Sequence, residues 1–304
     1  MPKISILTTL YRSELFVKDF YDKTIDSLNN ITDDYEIIFV DDGSPDQSSL
    51  QVIELKKKDS KITLIELSRN FGQLQAIMCG LKYCTGDYIF LLDSDLEEDP
   101  GLLSLFYKTL NDNKLDFVYG QTIERRKLFI QGFLSSIFYT VFNLLADINI
   151  PKNITMMAMM NKKYLTSLLQ FTEVHLFLAG LYQLNGFKQK GLFIEKSYKG
   201  FSSYSLVARF TMAIDAIFSF SSRPLYYISF MGMFISVSSV ILSLVLIFRK
   251  FLLDEVLSGW TSLMIAILFL SGLIITSLGI IGIYIGKIFI QTKNRPNVII
   301  RSIY

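Results

Sequence analysis

Along the first 120 residues, short apolar runs alternate with stretches whose apolar positions recur at helical spacing. The runs at 3–9, 35–40, 62–67, 87–92 and 117–120 read as five strands. Between them, Leu15, Phe16, Phe20, Ile25 and Leu28 mark one face of a helix over 14–30. A second helix opens after Gly72 and runs to about Tyr83. Strands alternating with helices predict an α/β fold with a mainly parallel sheet covered on both faces. Beyond the sheet the texture changes. Residues 125–150 read as an aromatic helix that carries Arg125, Arg126 and Lys127, suited to a membrane interface or to a buried bundle. Residues 196–206 read as a polar loop, and 207–219 as an apolar-rich helix lying on a membrane.

From Ile228 to Ile290 the chain is almost wholly apolar. Two stretches within it, 228–248 and 263–286, contain no acidic or basic residue, and each exceeds the roughly 20 residues of one crossing. The predicted organisation is therefore a soluble head over 1–205, a juxtamembrane amphipathic helix over 206–227, a two-helix anchor over 228–290 and a tail over 291–304. Arg209 and Arg223 precede the first span, and Lys287, Lys293, Arg295 and Arg301 follow the second, against Arg249 and Lys250 between them. By the positive-inside bias, head and tail are expected in the cytosol and the anchor in the inner (cell) membrane. Gly272, Gly279, Gly282 and Gly286 give the second span a small-residue face for close packing, on the first span or on another subunit of a homo-oligomer.

Composition narrows the function classes. A net charge of +2 over 304 residues leaves no basic footprint for nucleic acid. The N-terminus lacks the pattern of a secretory signal. Two cysteines, Cys79 and Cys84, and one histidine, His175, cannot complete a zinc set, and the cysteines read as reduced core residues. No Gly-rich phosphate loop occurs, which argues against a P-loop enzyme or a dinucleotide oxidoreductase.

The candidate chemistry gathers at the predicted carboxyl ends of strands, where open α/β sheets bind ligands. The fourth strand delivers Asp93, Asp95, Glu97, Glu98 and Asp99. On an extended segment alternate carboxylates point the same way, so Asp93 and Asp95 can jointly hold a hard cation that carries a diphosphate. The alternative is a solvated acidic loop capping the next helix. Asp41 and Asp42 end the second strand, ahead of Gly43-Ser44-Pro45-Asp46. They can accept hydrogen bonds from a base edge or ribose hydroxyls; the alternative is an Asx-turn and helix cap. Arg69, at a strand-to-helix junction, is placed to meet a phosphate.

These motifs together resemble the family 2 glycosyltransferases of the GT-A fold. The resemblance is to the branch that loads a sugar onto a polyprenyl phosphate, typified by dolichol-phosphate mannose synthase and bacterial undecaprenyl-phosphate glucosyltransferases. The likeness rests on VDDGSPD at 40–46, LSRNFG at 67–72, GDYIFLLDSDLEEDP at 86–100, DFVYG at 116–120, SFSSRPL at 219–225 and the closing GIYIGKIF. It implies an inverting transfer from a nucleotide-sugar donor to a polyprenyl-phosphate acceptor at a lipid bilayer, with Mg2+ or Mn2+. Carried across, Asp41 and Asp42 hold the nucleoside, Arg69 the donor diphosphate, and Asp93 and Asp95 the nucleotide and metal. Glu97 falls where relatives often have a metal-contacting Gln.

The acceptor half departs from that pattern. Where relatives carry Gly-Asp-Phe-Arg, this chain has Thr155-Met156-Met157-Ala158, and the expected Asp and Arg are gone. A phosphate acceptor is already anionic and needs little from a general base, but it does need positive charge. Arg125, Arg126 and Lys199 are the candidates, Arg125 foremost by the resemblance; attraction to anionic lipid headgroups is the other reading of Arg125. Two other functions remain open on the sequence. One is transfer to a lipid-linked sugar hydroxyl with a carboxylate such as Glu173 as base. The other is a non-catalytic nucleotide-sugar-binding partner of a flippase or another transferase.

Overall fold

The computed structural model describes residues 1–122, 150–174, 176–196, 218, 221–253 and 259–304. The expected interfacial helix with Arg125, Arg126 and Lys127, the residue His175, Lys199 and its loop, and the expected helix at 207–219 lie wholly or almost wholly outside them.

An eight-stranded sheet runs in the order β7-β5-β6-β4-β1-β2-β3-β8. The strands are β1 (Ile4–Leu10), β2 (Tyr35–Asp41), β3 (Ile62–Leu67), β4 (Tyr88–Leu91), β5 (Phe117–Thr122), β6 (Ile154–Asn161), β7 (Gln189–Ile194) and β8 (Ile300–Ile303). The neighbours of β1, namely β2 and β4, and the pair β2–β3 are parallel. Only β6 and β8 run against the rest, so the sheet is mainly parallel, as the alternation predicts. The helices are α1 (Val17–Leu28), α2 (Ser48–Lys56), α3 (Gln73–Leu81), α4 (Leu103–Asp112), α5 (Lys162–Leu168), α6 (Leu178–Leu184), α7 (Arg223–Leu253) and α8 (Trp260–Thr292).

The central strands read as unbroken apolar runs because both faces of the sheet are covered. On one face Ile6, Phe39, Leu64, Phe90 and Met159 pack with Phe20 of α1 and Phe106 of α4. Phe20 meets Phe39 edge-on at 5.9 Å between ring centroids, and Phe90 meets Phe106 at 5.5 Å. On the other face α3 lies so close to the sheet that a Cβ on Gly80 would stand 2.4 Å from Leu7 Cδ1 and 2.7 Å from Val40 Cγ2. Phe117 of β5 stacks on Tyr164 of α5 at 4.5 Å. Cys79 and Cys84 are buried free thiols, and burial pushes Cys84 up to about 12.

The helices α7 and α8 belong to a second compact unit. They contain both predicted spans, and each is long and apolar enough to cross a membrane. Phe230, Phe234, Leu244, Phe269, Ile275 and Leu278 are among the large apolar side chains that they expose. Within this unit the Tyr284 hydroxyl donates to the Ser221 carbonyl at 2.7 Å. A Cβ on Gly272, Gly279, Gly282 or Gly286 would meet nothing within 4 Å among the described residues.

After α8 the chain rejoins the first unit. β8 pairs antiparallel with β3, Ile65 opposite Ile303 and Glu66 opposite Ser302. On sequence alone this stretch is a cytosolic tail; here it forms an edge strand.

Candidate active site at the carboxyl end of the sheet

The parallel strands β1 to β4 end together, and the predicted residues follow those ends. β4 stops at Leu91, and the chain then turns. Here the structure corrects the basis on which Asp93 and Asp95 were paired. Asp95 lies in a turn rather than on an extended segment, and its Oδ1 accepts the Glu97 amide at 3.0 Å. Leu96, between them, has φ +60°, a left-handed backbone that costs a non-glycine residue about 1–2 kcal/mol. Its side chain packs against the core, which holds the turn in place.

The turn keeps the acidic groups close enough to feel one another. Burial, and next the Asp95 charge, push the Asp93 carboxyl up to about 6. Asp93 Oδ1 accepts from Gln73 Nε2 at 2.7 Å, tying it to the start of α3. Glu98 is fully buried, and burial together with the Asp93 charge pushes it up to about 7. Neither of its oxygens takes a well-formed hydrogen bond among the described residues, although the Thr155 hydroxyl is near enough to lower its pKa.

The compensating charge comes from a residue the sequence reading left in a polar loop. Lys196, two residues past β7, places Nζ 3.1 Å from Glu97 Oε2 and 3.9 Å from Glu98 Oε1. Burial works against its ammonium, but Glu98 and Glu97 outweigh that and raise its pKa.

Asp41 and Asp42 are both buried. Asp41 accepts from the Ser44 amide at 2.8 Å and from the Ser49 hydroxyl. Asp42 accepts from the Phe71 amide at 2.6 Å and the Gly72 amide at 2.9 Å. Burial raises the Asp42 pKa, with the two amides opposing. Asp41 thus performs the local turn role set out above as the alternative to nucleoside contact, while Asp42 ties down the distant loop before α3. A carboxylate has about four acceptor positions, so each retains capacity for a ligand hydroxyl or imino group.

The loop between β3 and α3 rests on this pair. Gly43 has φ +67°, and a Cβ there would stand 2.6 Å from the Arg69 carbonyl carbon and 2.7 Å from the Asn70 nitrogen. A side chain at 43 would push the loop away. Arg69 itself is exposed; its Nη1 donates to the Asn70 carbonyl at 2.9 Å and its guanidinium lies 4.1 Å from the Phe71 ring centroid. The site therefore presents six carboxylates, one ammonium and one guanidinium at the carboxyl end of a mainly parallel sheet. Arg125, expected beside them, lies outside the described residues.

Among the described residues no three His, Cys, Asp or Glu side chains converge closely enough to hold an ion alone. Mg2+ needs less than that from the protein, because it binds through one or two carboxylates plus substrate phosphates. Asp93 and Asp95 supply hard oxygens of the right kind, and the buried Glu98 carboxyl stands close enough to Asp93 to feel its charge. The residues present fit a divalent cation shared with a phosphate ligand.

The sequence model of "Glycosyl transferase family 2" matches residues 5–169. A Mycobacterium tuberculosis (strain CDC 1551 / Oshkosh) protein named "Putative glycosyltransferases" is 40% identical over 302 residues, covering 99% of this chain and 88% of that one. The "Bactoprenol glucosyl transferase" of Shigella phage SfX is 25% identical over 307 residues, covering 99% of both chains. Among solved structures, S. aureus TarS 1-349 in complex with UDP-GlcNAc aligns with a TM-score of 0.49 at 16% identity, over 71% of this chain and 66% of that one.

Proposed function

The chain belongs to glycosyl transferase family 2, and on that premise we propose that it is a membrane-bound inverting transferase that moves a sugar from a nucleotide sugar onto a polyprenyl phosphate. One observation carries the reading. The carboxylates of the β4 turn, with Lys196 among them, share a chain with two helices apolar enough to enter a bilayer. The full-length likeness to a bactoprenol glucosyl transferase supports a lipid-linked acceptor.

In this reading the head over 1–205 works at the cytosolic face, 206–227 lies along the membrane, 228–290 anchors the chain and 291–304 is cytosolic. The pairing of β8 with β3 supports a return to the same face, since both ends of the helical segment join one compact unit. Arg69 and Lys196 attract the donor diphosphate, and Asp41 and Asp42 accept from the nucleoside. Asp93 and Asp95, with Glu97, hold Mg2+ or Mn2+, which when bound neutralises charge developing on the diphosphate. Arg125 meets the acceptor phosphate.

A phosphate oxygen of the acceptor attacks the anomeric carbon from the face opposite the leaving group. The bond from that carbon to the donor's distal phosphate oxygen breaks, and the oxygen departs with the electron pair as part of a nucleoside diphosphate. Configuration inverts in a single displacement, and no proton need leave the nucleophile, so the loss of the Asp at 155–158 is compatible with turnover.

The test is turnover of purified full chain in detergent with undecaprenyl phosphate, Mn2+ or Mg2+, and a panel of nucleotide sugars. Nucleotide release that requires the lipid, and vanishes in Asp95→Asn, is the expected result. Nucleotide binding with no release under any combination would overturn the transferase reading in favour of the non-catalytic partner.

A further inference from the structure

The loop that carries Arg69 is held from two sides, and the second side is the C-terminus of the chain. Asp42 grips it through the Phe71 and Gly72 amides, and Gly43 lies against its backbone. Opposite, both main-chain groups of Ser68 bond to the last residues. The Ser68 amide donates to the Ile299 carbonyl at 2.8 Å, and the Ser68 carbonyl accepts from Arg301 Nη2 at 2.9 Å. A further link runs through the segment after α5. Asn297 Nδ2 donates to the Glu173 carbonyl at 3.4 Å, while Gln75 of α3 donates to the adjacent Val174 carbonyl at 2.8 Å.

We propose that residues 297–304 are part of the donor site, with Arg301 a positioning residue that sets the Ser68–Gly72 loop, and so Arg69, against the diphosphate of a nucleoside diphosphate. The proposal rests on the nucleotide-sugar reading above. A strand that only covers the edge of β3 would need the ladder pairs Ile65–Ile303, Glu66–Ser302 and Leu67–Ile300, which the Ser68–Ile299 bond extends, and nothing more. Arg301 does something the ladder does not require. Its exposed side chain reaches past the end of β3 to the carbonyl immediately before Arg69, where the loop has left the sheet. There a charged donor fixes the peptide that leads into Arg69.

The consequence is that the segment emerging from α8 bears directly on the donor loop. Ile299, seven residues past Thr292, already accepts a hydrogen bond from Ser68. A protein that works only at a membrane then has its donor loop completed by the stretch that leaves its apolar helices.

The experiment is titration calorimetry of full chain in detergent with UDP, GDP and dTDP, each with Mn2+, for wild type, Arg301→Ala and Arg301→Lys, alongside melting temperatures. Arg301→Ala should weaken the nucleotide that wild type binds about three- to tenfold, in line with the net worth of one ordinary, solvent-exposed hydrogen bond, without moving the melting temperature. Arg301→Lys keeps a charged donor and should recover affinity to within about twofold. Equal affinity in Arg301→Ala overturns the proposal, and so does a loss that tracks a lowered melting temperature and is shared by Arg301→Lys. Wild type that binds none of the three sinks the underlying donor reading instead.

Discussion

The Lys196 ammonium stands 3.1 Å from the Glu97 carboxylate, joining the end of β7 to the turn after β4 across 99 residues of sequence. A cation fixed there has two opposed effects. It competes with a divalent ion for the carboxylates, and it attracts the diphosphate that would share that ion. Removing it as Lys196→Met should tighten Mn2+ measured without nucleotide, and weaken a nucleoside diphosphate measured with saturating Mn2+. Its side chain is 34% exposed, so solvent screening limits each effect to about 1 kcal/mol, or roughly fivefold. Shifts of the same sign in both titrations would contradict this role.

The acidic turn holds one carboxylate assigned to chemistry and another assigned to structure. Asp95 is assigned to the metal, whereas exposed Asp99 caps the short 3-10 turn at Pro100 by accepting the Gly101 amide at 3.0 Å. Asp95→Asn should lower turnover by about 10²-fold or more, the scale of a lost metal contribution. Asp99→Asn should stay within about twofold, as surface changes do. Equal losses in the two variants would mean that the turn contributes only bulk negative charge.

Asp42 joins β2 to the donor loop through two amides, so its loss should be felt in fold and binding together. Asp42→Ala leaves the Phe71 and Gly72 amides without their acceptor. By analogy with lost helix caps, this costs about 1–2 kcal/mol of stability, read as a lower melting temperature. Nucleotide affinity should fall as well, because Arg69 rides on the same loop. Unchanged stability would show that water replaces the carboxylate without penalty.

What was legible in the sequence divides along physical lines. β1 to β5 were visible because a strand buried on both faces must be apolar throughout, and their ends were visible because carboxylates and Gly43 stand where the apolar runs stop. The motif at 40–46 singled out Asp41 and Asp42 without showing that they already serve the backbone. β6 was hidden by its own composition. Ile154–Asn161 reads ITMMAMMN, where methionine carries little strand preference, and on sequence it stands out only as a departure from a motif. β8 has four residues beyond a long apolar helix, and it is a strand only because β3 has an edge to offer. Lys196 gave no local signal, since its partners Glu97 and Glu98 are neighbours only after β7 joins the sheet beside β5.

Far from the site, Glu36 provides a stability switch independent of chemistry. Its carboxylate accepts from Ser5 Oγ at 2.6 Å, from the Thr85 amide at 2.6 Å and from Thr85 Oγ1 at 2.8 Å, and it pairs with Lys3 Nζ at 3.0 Å. Burial alone would raise its pKa, but these partners outweigh burial and hold it below the ordinary value. A folded pKa below the unfolded one means stability that is fully present above the unfolded value, about 4.3, and lost as pH falls through the folded value. Glu36→Gln should therefore lower the melting temperature at pH 7, by an amount matching about 2 kcal/mol for charge-assisted bonds. The gap from wild type should close as pH falls through the lowered folded pKa, where the wild-type carboxyl protonates too. Glu36 lies at the start of β2, opposite Ser5 and away from the strand ends that carry the site. Turnover per folded molecule at pH 7 should consequently be unchanged, and a gap that does not narrow at all as pH falls from 7 would show that shape, not charge, makes Glu36 fit.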